Sequence, residues 1–343
     1  MLPLLSVDGL VKHFPVRRGL LRRTTEMLQA VDGVSFTVEP GETLGVVGES
    51  GCGKSTLARV MLRLVTADSG SVRFHGEDLF TASPGRLKRL RRDLQLVFQD
   101  PHASLNPRMT MRDAVAFNLI IHGIDRASAR RRADDMLGDV GLEPALFGGR
   151  YPHEVSGGQR QRVNIARALV LDPRLVVLDE PVSALDKSVQ AQVLNLLQQL
   201  KAARRLTYVL ISHDLNVIEY ASDRVIVLYL GKIVEMGPAT VVAAAPQHPY
   251  TQALFRSAPS MDPSQRLLEP PLTGDPPNPL RPPSGCRFRT RCPFAMALCA
   301  EETPPLLEIG AGHFAACHLQ CGHSGTRNDA RALAGMPQNR DGA

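Results

Sequence analysis

Short apolar runs of strand length recur along the chain, and most of them end at glycine or at polar residues. The runs span 43–47, 94–98, 175–178, 208–211 and 225–230. Unbroken apolar runs of this length are typical of strands buried on both faces of a parallel sheet. Directly after the first run, residues 56–62 repeat apolar positions with a helical period. The pattern therefore predicts an α/β protein whose core is a parallel sheet.

The first predicted strand and helix are joined by the sequence GESGCGKST, which starts at Gly48. Gly48, Gly53, Lys54 and Ser55 match the phosphate-binding loop pattern G-x-x-x-x-G-K-[ST]. Such a loop directs backbone N–H groups and a helix N-terminus at phosphate oxygens, so we expect Lys54 at the β- and γ-phosphates and Ser55 at Mg²⁺. The alternative is a glycine-rich turn without a ligand. The residues predicted to bind the nucleotide here are Gly48, Glu49, Ser50, Gly51, Cys52, Gly53, Lys54, Ser55 and Thr56.

Polar side chains follow three other predicted strands. Asp179 and Glu180 end an apolar run as in a Walker B strand, which predicts Asp179 in the Mg²⁺ shell and Glu180 as the group that polarises the attacking water. Gln99 is predicted to contact the metal and the water, and His213 to hydrogen-bond the γ-phosphate. Taken singly, Gln99 and His213 could each be an ordinary polar loop residue.

A second glycine block makes the pattern specific. Ser156, Gly157, Gly158 and Gln159 precede a basic helix-like segment. The P-loop, Gln99, VSGGQ, LVVLDEP, SALD and His213, in this order, resemble an ATP-binding cassette ATPase over roughly residues 4–245. The resemblance implies a P-loop NTPase with a RecA-like core, an antiparallel β subdomain, and an α-helical subdomain at about 100–165.

The resemblance also implies how the site works. ATP and Mg²⁺ are the expected ligands, with Lys54, Gln99, Glu180 and His213 catalytic and with Ser55, Gln99 and Asp179 around the metal. The block 156–159 is expected to complete the ATP pocket of a partner cassette, because a glycine-started helix offers a second anion site. Two cassettes would face each other head to tail, and Asp186 would couple their sites. Lys187, just after SALD, is unusual.

Adenine recognition is expected near the N-terminus. Phe14 is the candidate for stacking on the base, a contact of about 1–3 kcal/mol. The arginine-rich segment through Arg23 is expected to be a loop that leads to a strand near Ala30 and Val31. The alternative is that Phe14 is a core residue.

Composition narrows the function classes. No apolar run approaches the roughly 20 residues needed to span a bilayer, and the N-terminus lacks the features of a signal peptide, so we expect a cytosolic protein docked on a membrane. The net charge is +6, with arginine and lysine clustered near residues 17–23, 86–92 and 126–132. Such clusters can bind nucleic acid or anionic lipid but are more often solvated helix faces. The sequence shows one P-loop, which argues against cassette proteins that carry two cassettes on one chain. It shows no long coiled coil, which argues against the chromosome-associated cassette proteins.

Three further strings are similar to the ATPase subunits of dipeptide and oligopeptide importers: PHASLNPRMT, HPYTQAL and PPSGCRFRTRCPFA. This resemblance implies an ATPase on the cytoplasmic face of the inner membrane. Its expected partners are two permease subunits, a second ATPase subunit that is a paralogue, and an extracytoplasmic peptide-binding protein, with no nucleic acid. The alternatives are import of nickel or another small solute, or a soluble cassette acting on nucleic acid or ribosomes.

The C-terminal part is predicted to be a small irregular extension at 246–322, after a cassette at 1–245 and before a disordered tail at 323–343. A proline-rich connector opens it, and four cysteines follow: Cys286, Cys292, Cys299 and Cys317. Close cysteines in the cytosol favour a metal over disulfides, and the resemblance implies a [4Fe–4S] cluster. Zinc and free thiols are the alternatives, with Cys321, His313 and His318 as spare ligands.

Overall fold

The structure is a computed structural model that describes residues 2–18, 24–257 and 274–320. The strands in this part of the chain are β1 (Leu5–Arg18), β2 (Thr24–Val38), β3 (Thr43–Val47), β4 (Ser69–Phe74), β5 (Glu77–Asp78), β6 (Leu94–Val97), β7 (Leu175–Asp179), β8 (Thr207–Ile211), β9 (Arg224–Tyr229), β10 (Lys232–Pro238), β11 (Leu307–Gly310) and β12 (His313–Ala315). The helices are α1 (Lys54–Met61), α2 (Pro84–Asp93), α3 (Pro101–Ser104), α4 (Met111–Ile121), α5 (Arg126–Asp139), α6 (Pro144–Phe147), α7 (Gly157–Leu169), α8 (Lys187–Arg204), α9 (Leu215–Ala221), α10 (Ala239–Ala244), α11 (Pro249–Arg256) and α12 (Leu298–Glu301).

The central sheet has the strand order β11-β12-β10-β9-β3-β8-β7-β6. The neighbours β9-β3, β3-β8, β8-β7 and β7-β6 are parallel, which confirms the predicted α/β core. Every position of β3, β7 and β8 is buried, as their unbroken apolar sequences require. Parallel strands end at the same edge of a sheet, so the residues that follow β3, β6, β7 and β8 meet there.

The second sheet is antiparallel and has the order β2-β1-β4-β5. It packs with α1 and one face of the central sheet around a shared apolar core. The expected arginine-rich loop is shorter than the sequence analysis predicts, because β1 continues to Arg18 and β2 begins at Thr24, where their backbones still pair. Residues 19–23 lie outside the described part of the chain.

The helices α3 to α6 lie between Gln99 and the second glycine block and pack with α7 on the other core. Side-chain caps begin the two longer ones: Thr110 accepts from the Asp113 backbone at the start of α4, and Asp125 accepts from Ser128 at the start of α5. No helix in the described part of the chain is both long and apolar enough to cross a membrane.

The C-terminal extension is joined to the central sheet, which the sequence does not predict. Strand β12 pairs antiparallel with β10, and β11 pairs with β12. Beneath this edge the buried carboxylate of Glu235 lies 2.7 Å from His313 Nε2 and accepts from the backbone N–H groups of Gln247 and His248. The predicted tail at 323–343, Cys321 and the connector residues 258–273 lie outside the described residues.

Candidate ATP-binding site

The phosphate loop lies between β3 and α1, and two of its glycines have no room for a side chain. Gly48 has φ 153°, and a Cβ there would lie 2.2 Å from the Leu228 carbonyl oxygen. Gly53 has φ 110°, and its Cβ would lie 2.0 Å from the Ala30 carbonyl oxygen. The loop can therefore approach its neighbouring backbone this closely only with glycine at both positions.

The two functional side chains of the loop already make polar contacts. Lys54 is 5% exposed, and its Nζ donates to the carbonyl oxygens of Gly48, at 2.6 Å, and Glu49, at 3.0 Å. Its ammonium is thus held inside the loop, where phosphate oxygens could replace the two carbonyls. Ser55 Oγ donates to Asp179 Oδ1 at 3.0 Å, which joins the start of α1 to the end of β7.

Asp179 has the environment of a cation ligand. Burial raises the pKa of its carboxyl, the hydrogen bond from Ser55 lowers it, and the neighbouring carboxylate of Glu180 raises it again, with a net upward shift. A nearby divalent cation would stabilise the charged form that burial disfavours. The hydroxyl of Ser55 and this carboxylate are oxygen donors of the kind that Mg²⁺ prefers, so the residues fit the ion.

Two predicted residues, Gln99 and His213, converge on the carboxylate of Glu180. Gln99 Nε2 donates to Glu180 Oε2 at 3.0 Å, and His213 Nδ1 lies 3.2 Å from the same oxygen. The backbone N–H of Glu180 donates to Ile211 O, which anchors the residue beside β8 in the left-handed region at φ 47°. The structure therefore brings the residues that follow β6, β7 and β8 to one place.

Phe14 lies apart from this group, on β1 opposite Leu28. Its ring is half-buried, so it is not among the fully buried core residues. Lys12 Nζ lies 5.2 Å from the ring centroid and makes a cation–π contact with it.

The second glycine block begins α7. Ser156 Oγ accepts from the backbone of Gln159, and Gln159 Oε1 accepts from the backbone of Ser156, which forms a capping box. The two glycines between them face the turn before α8, where Leu185 and Val189 lie within contact distance of the positions that side chains would occupy. Asp186 caps α8 by accepting from Val189 N. In the described part of the chain, the second glycine block therefore packs against α8 and the turn before it, and not against the phosphate loop of the same chain.

Lys187 has a partner across the site. Its Nζ lies 2.9 Å from Asp214, the residue that follows His213. The lysine is largely exposed, so the pair contributes little to stability.

Three arginines of the basic clusters at 86–92 and 126–132 form ion pairs within the chain. Arg86 pairs with Glu77, Arg130 with Asp113, and Arg132 with Asp172. These contacts favour the interpretation of solvated helix faces.

The four cysteines of the extension lie near one another. Burial, together with the neighbouring thiols of Cys286, Cys292 and Cys299, raises the pKa of Cys317 to about 12. Among the described residues, however, no group of three or more His, Cys, Asp or Glu side chains is arranged to hold a metal ion. The structure therefore gives no support to the predicted metal site, and the arrangement of the thiols is not a closed ligand set.

Sequence reasoning missed a set of residues that contact the phosphate loop from the C-terminal part. Tyr250 OH accepts from Glu49 N at 2.8 Å, and Arg291 forms a bidentate ion pair with the Glu49 carboxylate. Both lie in strings that the sequence analysis used only for resemblance, and nothing local in those strings shows which residue they contact.

Comparisons with known proteins agree with this geometry. Residues 31–183 match the family described as ABC transporter, and residues 234–299 match the oligopeptide/dipeptide transporter C-terminal region. Among solved structures, the ATP-binding cassette MJ0796 in a dimeric, post-hydrolysis state with ADP and Pi is 29% identical, with a TM-score of 0.60, and the match covers 68% of this chain and 98% of that one.

Relatives match over almost the full length. A probable peptide ABC transporter ATP-binding protein, y4tS of Sinorhizobium fredii, is 47% identical over 97% of this chain and 94% of its own. The oligopeptide transport ATP-binding protein AppF of Bacillus subtilis is 48% identical over 92% and 97%. A putative peptide import ATP-binding protein of Brucella ovis is 51% identical over 92% and 97%.

The fold and the site define an ATP-binding cassette ATPase. The chain belongs to the ABC transporter family and, within that family, to the ATP-binding proteins of dipeptide/oligopeptide importers.

Proposed function

We propose that this protein is the ATP-hydrolysing subunit of a membrane importer for dipeptides or oligopeptides. The observation that carries the proposal is the meeting of Ser55 with Asp179, and of Gln99 and His213 with Glu180, at one edge of the parallel sheet. This arrangement can hold a triphosphate, a cation and an attacking water together. Peptide transport is what the names of the full-length relatives state, and both family matches support it.

In the proposed mechanism the phosphate loop binds ATP and Lys54 exchanges its carbonyl partners for β- and γ-phosphate oxygens. Ser55, Asp179 and Gln99 would hold Mg²⁺, which supplies positive charge to the phosphates when bound. Glu180 orients the water and accepts its proton, and His213 donates to the γ-phosphate. Phe14 stacks on adenine.

Hydrolysis in this proposal needs a second cassette. The N-terminus of α7, with exposed Ser156 and half-buried Gly157 and Gly158, would complete the ATP pocket of the partner, and Asp186 would couple the two sites. The partner is proposed to be a paralogous ATPase subunit. Support for a second cassette comes from the capped helix start, whose serine is exposed, and from the dimeric state named for the similar cassette MJ0796.

The permease is proposed to dock on a groove of about 460 Å³ that is lined by β6 and by residues of α2, α3, α4 and α7. Leu64, Phe98 and Phe117 line it and are exposed, so an apolar helix of a permease subunit could bury them. Gln99 follows Phe98 directly, which would connect the docked helix to the catalytic carboxylate. The protein would thus lie peripherally on the cytoplasmic face of the membrane, in a complex with an extracytoplasmic peptide-binding protein.

We also propose the division into a cassette at 1–245, with its helical subdomain at about 100–165, and an extension at 246–322. Within the extension we propose a [4Fe–4S] cluster on Cys286, Cys292, Cys299 and Cys317, which rests on the resemblance to peptide-importer ATPases alone, because the described side chains are not arranged to hold a metal ion. No step of ATP hydrolysis depends on it. Anaerobically purified protein should be brown and contain iron, Cys286→Ser should lose both, and Cys52→Ser should keep both. Colourless, iron-free wild-type protein would exclude the cluster.

The function is tested by reconstituting the full chain with its co-purified membrane subunits in liposomes. We expect ATP hydrolysis that rises when a binding protein loaded with a peptide is added, together with uptake of labelled peptide. Stimulation by nickel or another solute instead of peptide would reassign the cargo. Stimulation of the chain by DNA, RNA or ribosomes, without any response to the membrane subunits, would reject the importer assignment.

A further inference from the structure

In the described residues, the C-terminal extension contacts the phosphate loop at Glu49. Arg291 Nη1 lies 2.8 Å from Glu49 Oε2, and Arg291 Nη2 lies 3.1 Å from Oε1. The side chain of Arg291 is 5% exposed and that of Glu49 is 23% exposed. An arginine–carboxylate pair is strongest when it forms two parallel charge-assisted hydrogen bonds in a poorly solvated place. The two bonds also fix the orientation of the guanidinium relative to the carboxylate.

The electrostatics agree with the geometry. Burial lowers the pKa of Arg291, but the hydrogen bonds to Glu49 and to Tyr229 outweigh it and raise the pKa overall. The guanidinium therefore stays charged although it lies inside the fold. On the same residue of the loop, Tyr250 OH accepts the backbone N–H of Glu49 at 2.8 Å. Both the side chain and the backbone of Glu49 are thus held from the C-terminal part of the chain.

This contact bears directly on the phosphate site. The carbonyl oxygen of Glu49 is one of the two acceptors of Lys54 Nζ. A second arginine of the extension, Arg287, donates to Leu230 O, and the next residue, Gly231, donates its N–H to Cys52 O at 2.8 Å. The extension therefore contacts the start of the loop directly at Glu49, and it reaches Cys52 only indirectly, through Leu230 and Gly231.

We propose that Arg291 is a positioning residue, which holds the phosphate loop through Glu49 in the conformation that binds ATP. The C-terminal extension then sets the affinity of the cassette for nucleotide. The inference rests on the proposed function, because it concerns the same ATP site. Its physical basis is that a loop held in its binding conformation loses less conformational entropy when the ligand arrives.

The test compares full-length variants by titration with a fluorescent ATP analogue and Mg²⁺, alongside the KM and kcat of ATP hydrolysis and the thermal midpoint. We expect Arg291→Ala to weaken nucleotide binding about tenfold, or about 1.4 kcal/mol, and to raise KM while kcat changes much less. Arg291→Lys keeps the charge but not the two parallel bonds, so its affinity should be intermediate. Glu49→Gln should weaken binding to a similar extent.

The double variant Glu49→Gln/Arg291→Ala should bind no more weakly than the worse single variant, because both remove the same interaction. Arg289→Ala is the matched control, since the Arg289 guanidinium hydrogen-bonds to Ser284, within the extension, and not to the phosphate loop in the described part of the chain. It should bind nucleotide like the wild type. If Arg291→Ala does not fold, the nucleotide affinities of Arg291→Lys and Glu49→Gln test the proposal instead.

The outcomes separate the two proposals. If the wild type binds the analogue and the Arg291 and Glu49 variants bind it with the same affinity, the inference is overturned and the proposed function stands. A lower thermal midpoint without a change in affinity would likewise show that the pair only stabilises the fold. Failure of the wild-type chain to bind the analogue would overturn the proposed function and the inference together.

Discussion

Gln99 and Glu180 are joined by a hydrogen bond of 3.0 Å between Nε2 and Oε2, although 81 positions separate them in the chain. One residue follows β6 and the other follows β7, and these strands are parallel neighbours. Since Gln99 also directly follows the groove residue Phe98, a displacement in the groove would reach the carboxylate of Glu180, the proposed general base, through one side chain. This contact therefore links the proposed docking site to the proposed chemistry.

Glu180→Gln should retain ATP binding and lose hydrolysis. The amide keeps the shape of the side chain but cannot accept a proton, and loss of a general base costs about 10²–10⁴-fold in rate. Phosphate release measured in the assembled complex gives kcat, and nucleotide titration gives affinity. Glu219→Gln, an exposed position on α9, is the control and should keep normal turnover. Near-normal turnover of Glu180→Gln would reject the assignment of Glu180 as the base.

Ser55→Ala should raise the Mg²⁺ concentration needed for half-maximal ATP hydrolysis by about tenfold or more. The change removes a donor of the proposed Mg²⁺ shell and leaves Asp179, whose pKa is already raised mainly by burial, without its hydrogen bond. Titrating Mg²⁺ at saturating ATP measures the effect. Ser55→Thr keeps a hydroxyl and should restore the wild-type requirement, whereas equal curves for Ser55→Ala and wild type would exclude Ser55 from the metal shell.

Gly158→Ala should lower the free energy of unfolding by about 1–3 kcal/mol through overpacking. Its Cβ would lie 2.6 Å from Val189 Cγ1, whereas the Cβ of Gly157→Ala would lie 3.7 Å from its nearest neighbour on Leu185. Denaturant unfolding of both variants makes a matched comparison. Adding Val189→Ala to Gly158→Ala should recover part of the loss. If Gly157→Ala proves the more destabilising change, the packing described between α7 and α8 is wrong.

Stability should fall at mildly acidic pH because of His248. Burial lowers the pKa of this imidazole from 6.5 to about 3, and its Nδ1 accepts from Tyr250 N at the start of α11. The folded-state pKa is below the unfolded one, so the contribution is complete above about pH 6.5 and is lost as the pH falls toward 3. The slope is at most about 1.4 kcal/mol per pH unit.

His248→Asn provides the comparison for this effect. Asparagine can still cap α11 but does not titrate, so its free energy of unfolding should change less than that of the wild type between pH 7 and pH 5. Denaturant unfolding at several pH values measures both slopes. Identical slopes in the two proteins would show that His248 is not the titrating group.

The parts of this protein whose chemistry is local can be recognised from the amino-acid sequence. A phosphate loop is nine consecutive residues, so Gly48, Gly53, Lys54 and Ser55 could be recognised from spacing alone. The buried strands could be recognised from unbroken apolar runs, and the residues after them were expected at one edge because parallel strands end together. The meeting of Gln99, Glu180 and His213 follows from that rule once the strands are in one sheet.

The surroundings of the phosphate loop follow from the folded chain and not from any local segment. Arg291 and Glu49 are 242 positions apart, and neither local sequence carries a signal for the other. Strand β12 pairs with β10, with Glu235 opposite Ala315, and His313 contacts the buried carboxylate of Glu235 across this pair. Such contacts arise from burial and charge across the folded chain, which periodicity and spacing do not encode. For the same reason, four neighbouring cysteines could be counted from the sequence, but their arrangement could not.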